Sequence, residues 1–339
     1  MKLRDFAYHL TEYLSKYLPS RAGLSPHTIL SYRDTFLLLL RYCSQVKRIP
    51  TERLAVSDLT PELIQEFLQW LELERGCSAS TRNQRLAAIH AFFRYLQMVS
   101  IDHIHQCQQI LAIPMKKHHG QSIQYLTLDG IKAILAIPDP TREHGRRDLV
   151  MLSLLYDTGA RVQEIADLVV ADVRLETPAT VKLTGKGNKT RIVPLMTPTA
   201  KLIQQYISDM RLGDATHRQY PLFTNRSGEK LTRAGITYVL KKYADQARIL
   251  HPEWIPKMIS PHCLRHSKAM HLLQSGVNLV YIRDLLGHVS ITTTEVYARD
   301  DSEMKRKALE GAYANATPSE MPVWQQNTNL LKWLKALGN

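Results

Sequence analysis

The chain has 339 residues, with 44 Lys and Arg against 31 Asp and Glu, for a formal net charge of +13. That length suits about two domains, and 44% hydrophobic with 22% charged residues excludes a disordered chain. The basic excess fits a polyanion partner, nucleic acid in the first place, or plain colloidal solubility.

The chain opens on Met1-Lys2-Leu3-Arg4-Asp5, with charges where the apolar core of a signal peptide would begin. Its densest apolar stretches, 36–40 and 149–155, are far shorter than the roughly 20 residues of a membrane span. Cys43, Cys77, Cys107 and Cys263 are widely spaced and form no CxxC pair. They read as reduced thiols of a cytoplasmic protein, neither a disulfide framework nor a structural zinc site.

Residues 1–110 read as an all-helical bundle. An opening helix falls within 3–18. Ser25-Pro26 starts a second, with Ser as N-cap and Pro at the first helical position. It runs to about Val46, with Ile29, Phe36, Leu37, Leu40 and Tyr42 as its apolar positions. Thr60-Pro61-Glu62 repeats the start signal, followed by Leu63, Phe67, Trp70 and Leu71 at helical spacing. A further helix over 78–98 turns Leu86, Ile89, Phe92, Phe93 and Leu96 inward. Short connections between the four point to a compact bundle.

Residues 111–121 read as a linker containing Lys116-Lys117-His118-His119. Two readings stand: a solvated loop, or a basic strap on a polyanion through Lys116 and Lys117. Residues 122–310 read as mixed α/β. Helices fall near 127–136, 146–157, 161–168, 197–211, 232–249, 262–275 and 278–286. Between them, 180–183 and 191–195 alternate around Gly185-Lys186-Gly187-Asn188, a β-hairpin signal. In residues 311–339, Leu330, Leu331, Trp333, Leu334 and Leu337 sketch a short amphipathic helix. The net charge is +3 on 1–110, +2 on 111–121 and +7 on 122–310. Both lobes are therefore basic, as one extended anion touching both requires.

Five segments of the second lobe bear on chemistry. In Thr158-Gly159-Ala160-Arg161-Val162-Gln163-Glu164, an arginine opens a helix, a place suited to bidentate phosphate capture. Glu164, one turn on, orients that arginine or simply pairs with it. Gly185-Lys186-Gly187-Asn188-Lys189-Thr190-Arg191 fails the P-loop pattern, because the required glycines fall on Leu183 and Asn188. Its cations, Lys186 above all, reach into a groove from a hairpin tip, or they form a plain basic turn. In Pro261-His262-Cys263-Leu264-Arg265-His266, His262 and Arg265 share a helix face. An imidazole beside a guanidinium serves proton transfer at a phosphate. His262 and His266 are also spaced for zinc, but HExxH is absent and no further ligand is evident. Leu285-Leu286-Gly287-His288 ends a helix with a histidine, a plain helix stop or a site residue. In Thr292-Thr293-Thr294-Glu295-Val296-Tyr297, the tyrosine is core, or a nucleophile needing activation from its reference pKa of about 10.

As a set, the segments TGARVQEI, GKGNKTRIVPL, SPHCLRHSKAMHLL and DLLGHVSITTTEVY resemble the tyrosine recombinases of the phage integrase family. The likeness is nearest to bacterial Xer-type dimer resolvases and transposon integrases, and it covers about residues 20–300. It implies a fold that is mainly α with a small β-hairpin or sheet. The N-terminal helical bundle, 1–110, would be a SAM-like core-binding domain on DNA, and 122–310 the mixed α/β catalytic domain.

The resemblance also implies roles. Tyr297 would be the nucleophile, forming a 3′-phosphotyrosine and releasing a 5′-hydroxyl. Arg161 and Arg265 would bind the phosphate oxygens, and Lys186 would protonate the leaving oxygen. His262 would assist proton transfer from the tyrosine, His288 would hydrogen-bond the phosphate, and Glu164 would support the site. Lys116, Lys117, Lys189 and Arg191 are the expected DNA contacts. No metal, cofactor or ATP is implied, because a phosphotyrosine retains the bond energy. The partner is double-stranded DNA carrying specific sites, handled by a homotetramer, with or without a second recombinase or accessory protein. The tail helix would dock on a neighbour or pack on its own domain. Two alternatives remain: a DNA-binding relative without catalysis, and a type IB topoisomerase that only relaxes DNA.

Overall fold

The computed structural model describes residues 5–117, 124–288 and 290–300. The chain divides into two compact units, Met1–Gln121 and Ser122–Asn339.

The first unit holds α1 (Asp5–Glu12), a π-helical stretch (Tyr13–Arg21), α2 (Pro26–Gln45), α3 (Pro61–Leu73), α4 (Ala79–Val99) and α5 (Ile104–Leu111). The two expected start signals act as read: Ser25 and Thr60 each accept a backbone N–H three residues on, at 3.3 and 3.2 Å, and Ser78 does the same for α4 at 3.2 Å. This satisfies a donor that the helix leaves orphaned. Phe92 of α4 is fully buried, with the rings of Phe6, Tyr13 and Phe36 at 5.8, 5.3 and 5.2 Å. Leu86, Ile89, Phe93 and Leu96 join it in the core, as their spacing requires.

Two details differ from expectation. On α2 the buried face runs through Phe36, Leu39, Tyr42 and Cys43, while Leu37 is 46% exposed. A run of five apolar residues laps around a helix, and only those at i, i+3 and i+4 reach the core. The stretch expected to be a linker begins inside the unit: α5 ends at Leu111, and Ile113 is buried in the same core. Residues 118–121 of that stretch, and the whole tail with its expected helix at 330–337, lie outside the described residues.

The second unit is mostly helical around a small sheet: α6 (Leu128–Leu135), α7 (Glu143–Thr158), α8 (Val162–Ala166), β1 (Val173–Arg174), β2 (Thr180–Thr184), β3 (Thr190–Pro194), α9 (Thr197–Asp209), α10 (Arg233–Leu250), α11 (Pro261–Gln274), α12 (Leu279–Leu286) and α13 (Thr292–Asp300). The three strands are antiparallel in chain order, and β2 and β3 form the expected hairpin, with Val181 paired to Val193. Leu183 and Val193 point into the main core, which α7 and α10 complete. A separate small core gathers Ala269, Met270 and Leu273 of α11, Ile282 and Leu286 of α12, and Tyr297 of α13. No helix among the described residues is long and apolar enough to cross a membrane.

Candidate active site

The end of α12 organises the site. Three consecutive carbonyls there each accept from a different arginine. Leu285 O accepts from Arg191 Nε at 2.8 Å, Leu286 O from Arg265 Nη2 at 2.7 Å, and Gly287 O from Arg161 Nη2 at 3.3 Å. A helix C-terminus carries partial negative charge and unpaired carbonyls, so it attracts cations. Gly287 supplies the left-handed turn that ends the helix, with φ of 66°. It also leaves room, since a Cβ there would lie 2.9 Å from Arg191 Nη1.

The three arginines are further fixed by local structure. Arg161 precedes α8, and both its backbone N–H and its Nη1 donate to Glu164, at 2.8 and 3.0 Å. Glu164 is 3% exposed and takes two more bonds from Arg191 Nη1 and Nη2, at 2.9 and 2.8 Å. Burial alone would raise its pKa, but these donors hold the carboxylate below its usual range. Arg265, on α11, also donates from Nη1 to Gly159 O at 2.6 Å. Burial and then the neighbouring Arg161 push its pKa down to about 10, which leaves it cationic at neutral pH.

The imidazoles stand next to this cluster. His288 Nδ1 lies 2.9 Å from Thr294 Oγ1 of α13. Its pKa falls to about 4, first by burial and then by Arg265, Arg161 and Arg191. His262 is shifted down by burial, Arg265 and Arg161. Both are neutral at pH 7. Tyr297 is 3% exposed, and its hydroxyl lies 2.9 Å from His266 Nδ1. The His288 ring lies parallel to the Tyr297 ring at 6.4 Å, and His262 sits 6.2 Å from His266. Burial raises the Tyr297 pKa, while Arg265 and Arg161 pull it the other way.

Arg161, Glu164, Arg265, His262, His288 and Tyr297 are thus brought together. A groove of about 500 Å³ opens beside them, lined by Arg161, Lys189, Arg191, Gly287 and His288 among others. The remaining expected site residues fall elsewhere or act differently. Lys186 opens the turn between β2 and β3, and its side chain lies outside those described. Lys189 is exposed in the same hairpin. Arg191, expected at DNA, spends all three nitrogens on Glu164 and Leu285 O. Lys116 pairs with Glu72 at 2.9 Å and is bonded through its backbone to Asn83, while Lys117 is exposed. Sequence reasoning weighed His266 only as a zinc ligand and missed its place at the Tyr297 hydroxyl. The available signal was its place directly after Arg265 and one helical turn after His262. Among the described residues no three His, Cys, Asp or Glu side chains converge as a metal site would need.

Residues 124–304 match the phage integrase family, and residues 10–98 match the phage integrase N-terminal SAM-like domain. The two-unit fold and these matches define a tyrosine-type site-specific recombinase, an enzyme of DNA strand transesterification. The chain belongs to the phage integrase family. It is 36% identical over 328 residues to the putative integrase/recombinase y4rC of Sinorhizobium fredii, covering 97% of each chain. It is 34% identical over 300 residues to the tyrosine recombinase XerD of Staphylococcus epidermidis, covering 88% of this chain and 96% of that one. Its fold is similar to that of the XerH site-specific recombinase bound to difH substrate, at a TM-score of 0.66 and 23% identity over 88% of this chain and 83% of the other. The Tn1549 transposon integrase in complex with transposon right end DNA is similar at a TM-score of 0.68 and 17% identity, over 90% and 99%.

Proposed function

We propose that this recombinase cleaves and rejoins double-stranded DNA through a covalent bond to Tyr297. The observation that carries the reading is the Tyr297 hydroxyl held at 2.9 Å by a histidine, in the field of Arg161 and Arg265. The phenolic oxygen attacks the scissile phosphorus, a 3′-phosphotyrosyl bond forms, and the bond to the 5′-oxygen breaks. That oxygen takes a proton from Lys186. Each guanidinium has five N–H donors, and the carbonyl and carboxylate contacts of Arg161 and Arg265 leave others for the non-bridging oxygens. Charge growing on those oxygens is stabilised by donors that need no reorganisation. His288 takes a bond from Thr294 at Nδ1 and offers Nε2–H to the phosphate. His262 assists proton transfer, and Glu164 fixes Arg161. Attack by a 5′-hydroxyl on the phosphotyrosine reverses every step, so rejoining consumes no ATP.

The first unit serves as the core-binding domain, with Lys116 and Lys117 on the sugar-phosphate backbone, and residues 122–310 as the catalytic domain, with Lys189 on the same backbone. Exchange between two duplexes breaks four strands, and each chain offers one nucleophile, so a homotetramer acts on a pair of sites. The chain works in the cytoplasm, where the DNA of a bacterial host lies, and it moves or resolves DNA segments there.

The test is covalent trapping. Tyr297→Phe should bind DNA as the unaltered protein does and form no adduct resistant to denaturant. An adduct in equal amount from the Phe variant would overturn the assignment of Tyr297.

A further inference from the structure

The geometry points to Lys268 as a positioning residue for strand cleavage: its ion pair with Asp157 fixes the gap between Arg161 and Arg265, which must close on one phosphate. The inference rests on the cleavage reaction proposed above. Arg265, Lys268 and His271 follow one another at spacings of three on α11 and form a slanting row along it. Each meets the end of α7. Arg265 Nη1 donates to Gly159 O at 2.6 Å, Lys268 Nζ donates to Asp157 Oδ1 at 3.4 Å, and His271 Nδ1 lies 2.9 Å from the Tyr156 hydroxyl. The partners descend in number as the row ascends, so three polar bonds lace the two segments together in antiparallel order.

The middle bond is the charged one, and it is shielded: the Lys268 side chain is 14% exposed and that of Asp157 7%. The ammonium also stands over the Tyr156 ring, 5.4 Å from its centre. Asp157 Oδ2 accepts the Met196 N–H at 3.0 Å, just past β3. One carboxylate therefore ties α7 to α11 and to the exit of the strand that carries Arg191. The stem of Lys268 runs beside Gly159, where a Cβ would lie 3.7 and 3.8 Å from Lys268 Cγ and Cβ. The lysine is thus packed against the residue whose carbonyl holds Arg265.

The site needs such a tie. Arg161 follows Gly159 by two residues, while Arg265 precedes Lys268 by three, so the two arginines approach the phosphate from the two laced segments. They repel each other, and Arg161 is among the causes that lower the Arg265 pKa. Until a phosphate lies between them, that repulsion works to part the segments. The attraction of Lys268 for Asp157, in a place little screened by water, opposes it. The pair is neutral as a unit and does not itself touch the substrate. It acts through Arg265 and Arg161, whose donors then stand ready where charge develops.

The experiment uses the full-length protein and a synthetic nicked duplex bearing a sequence that the unaltered protein captures covalently from host genomic fragments. Lys268→Met fills much the same space without a charge. Single-turnover adduct formation should slow by about 10²-fold, the cost of a slightly misplaced reacting group, with DNA affinity unchanged. Lys268→Arg keeps a cation within reach of Asp157 and should retain most of the rate. Asp157→Asn combined with Lys268→Met leaves no buried charge unpaired, which protects folding, and should show the same deficit as Lys268→Met alone. A methylphosphonate at the cleavage point supplies a readout that general loosening would not move. It is neutral, so it asks less of the paired guanidiniums, and the deficit of Lys268→Met should largely disappear on it. Full activity of the Met variant on the phosphodiester would overturn the proposal, and so would an equal deficit on both substrates. An adduct formed by Tyr297→Phe would instead overturn the nucleophile assignment, whatever the Lys268 variants do.

Discussion

Arg191 grips Glu164 with both terminal nitrogens, at 2.9 and 2.8 Å, while its Nε reaches the Leu285 carbonyl at 2.8 Å. One side chain from β3 therefore joins the hairpin, α8 and α12. Glu164, so held, is the residue that also binds Arg161. Removing one partner of a buried ion pair leaves the other charge uncompensated. Arg191→Ala should cost about 3–5 kcal/mol in chemical denaturation and should slow adduct formation as Arg161 loses its brace. Arg191→Lys should recover part of the stability but not the rate, because an ammonium cannot reproduce the planar fork. A lysine variant with full activity would refute that role.

Gly287 offers a cleaner perturbation. Its φ is 66°, and a Cβ there would press on the Nη1, Cδ and Cζ atoms of Arg191. An alanine in the left-handed region costs about 1–2 kcal/mol by itself. Gly276, with φ of 80° and open space around it, is the matched control. Gly276→Ala should destabilise and leave the cleavage rate alone, whereas Gly287→Ala should destabilise and slow cleavage as well. Equal activity in the two variants would argue that contact with Arg191 is unimportant.

For Lys186, the leaving group provides the test. Lys186→Ala should cleave ordinary DNA slowly, and a bridging sulfur in place of the 5′-oxygen should restore the rate, since a thiolate departs without a proton. Failure of that substitution to help would remove the general-acid role from Lys186.

Acid should loosen the catalytic unit before it touches the carboxylates. His262, His266, His271 and His288 all have lowered pKa values, each with burial as the largest cause. An unfolded histidine takes up its proton near 6.5, while folded His288 waits until about 4. Between those values the unfolded state binds more protons, so stability falls as pH falls. Thermal unfolding from pH 7.5 to 4.5 should show a declining midpoint, and His288→Gln should flatten the decline. A midpoint independent of pH over that range would contradict the burial of these rings.

Much of this architecture could be read in advance, and the reasons are local. Ser25-Pro26 and Thr60-Pro61 announce helices because capping and proline preference act over a few residues. The hairpin is announced by alternation around a glycine-rich turn. Arg161, Arg265 and Tyr297 were singled out through motifs, and the fold brings them together. α13 was not, because Thr292-Thr293-Thr294 opens it with three β-branched residues of poor helix propensity. Its stability comes from packing on α11 and α12, a tertiary effect. The bonds of Arg191 to Glu164 and Leu285 were not foreseen for a related reason. A basic residue in a hairpin resembles a DNA contact until a carboxylate 27 positions away is seen to hold it. His266 was noticed only for its spacing from His262, because its partner at the Tyr297 hydroxyl is 31 residues distant.

The three carbonyls at the end of α12 also bear on biosynthesis. Arg161 leaves the ribosome 126 residues before Gly287, the carbonyl it is bonded to. Arg265 precedes Leu286 by 21, and Arg191 precedes Leu285 by 94. Until that short helix is made, Glu164 can brace Arg161 and Arg191, but no common anchor joins Arg265 to them. Tyr297 arrives later still. A nascent or prematurely terminated chain therefore carries basic groups that can meet DNA, but no assembled apparatus for cutting it. Competence to cleave DNA therefore waits on α12 and on Tyr297, whatever the arginines made before them can already bind.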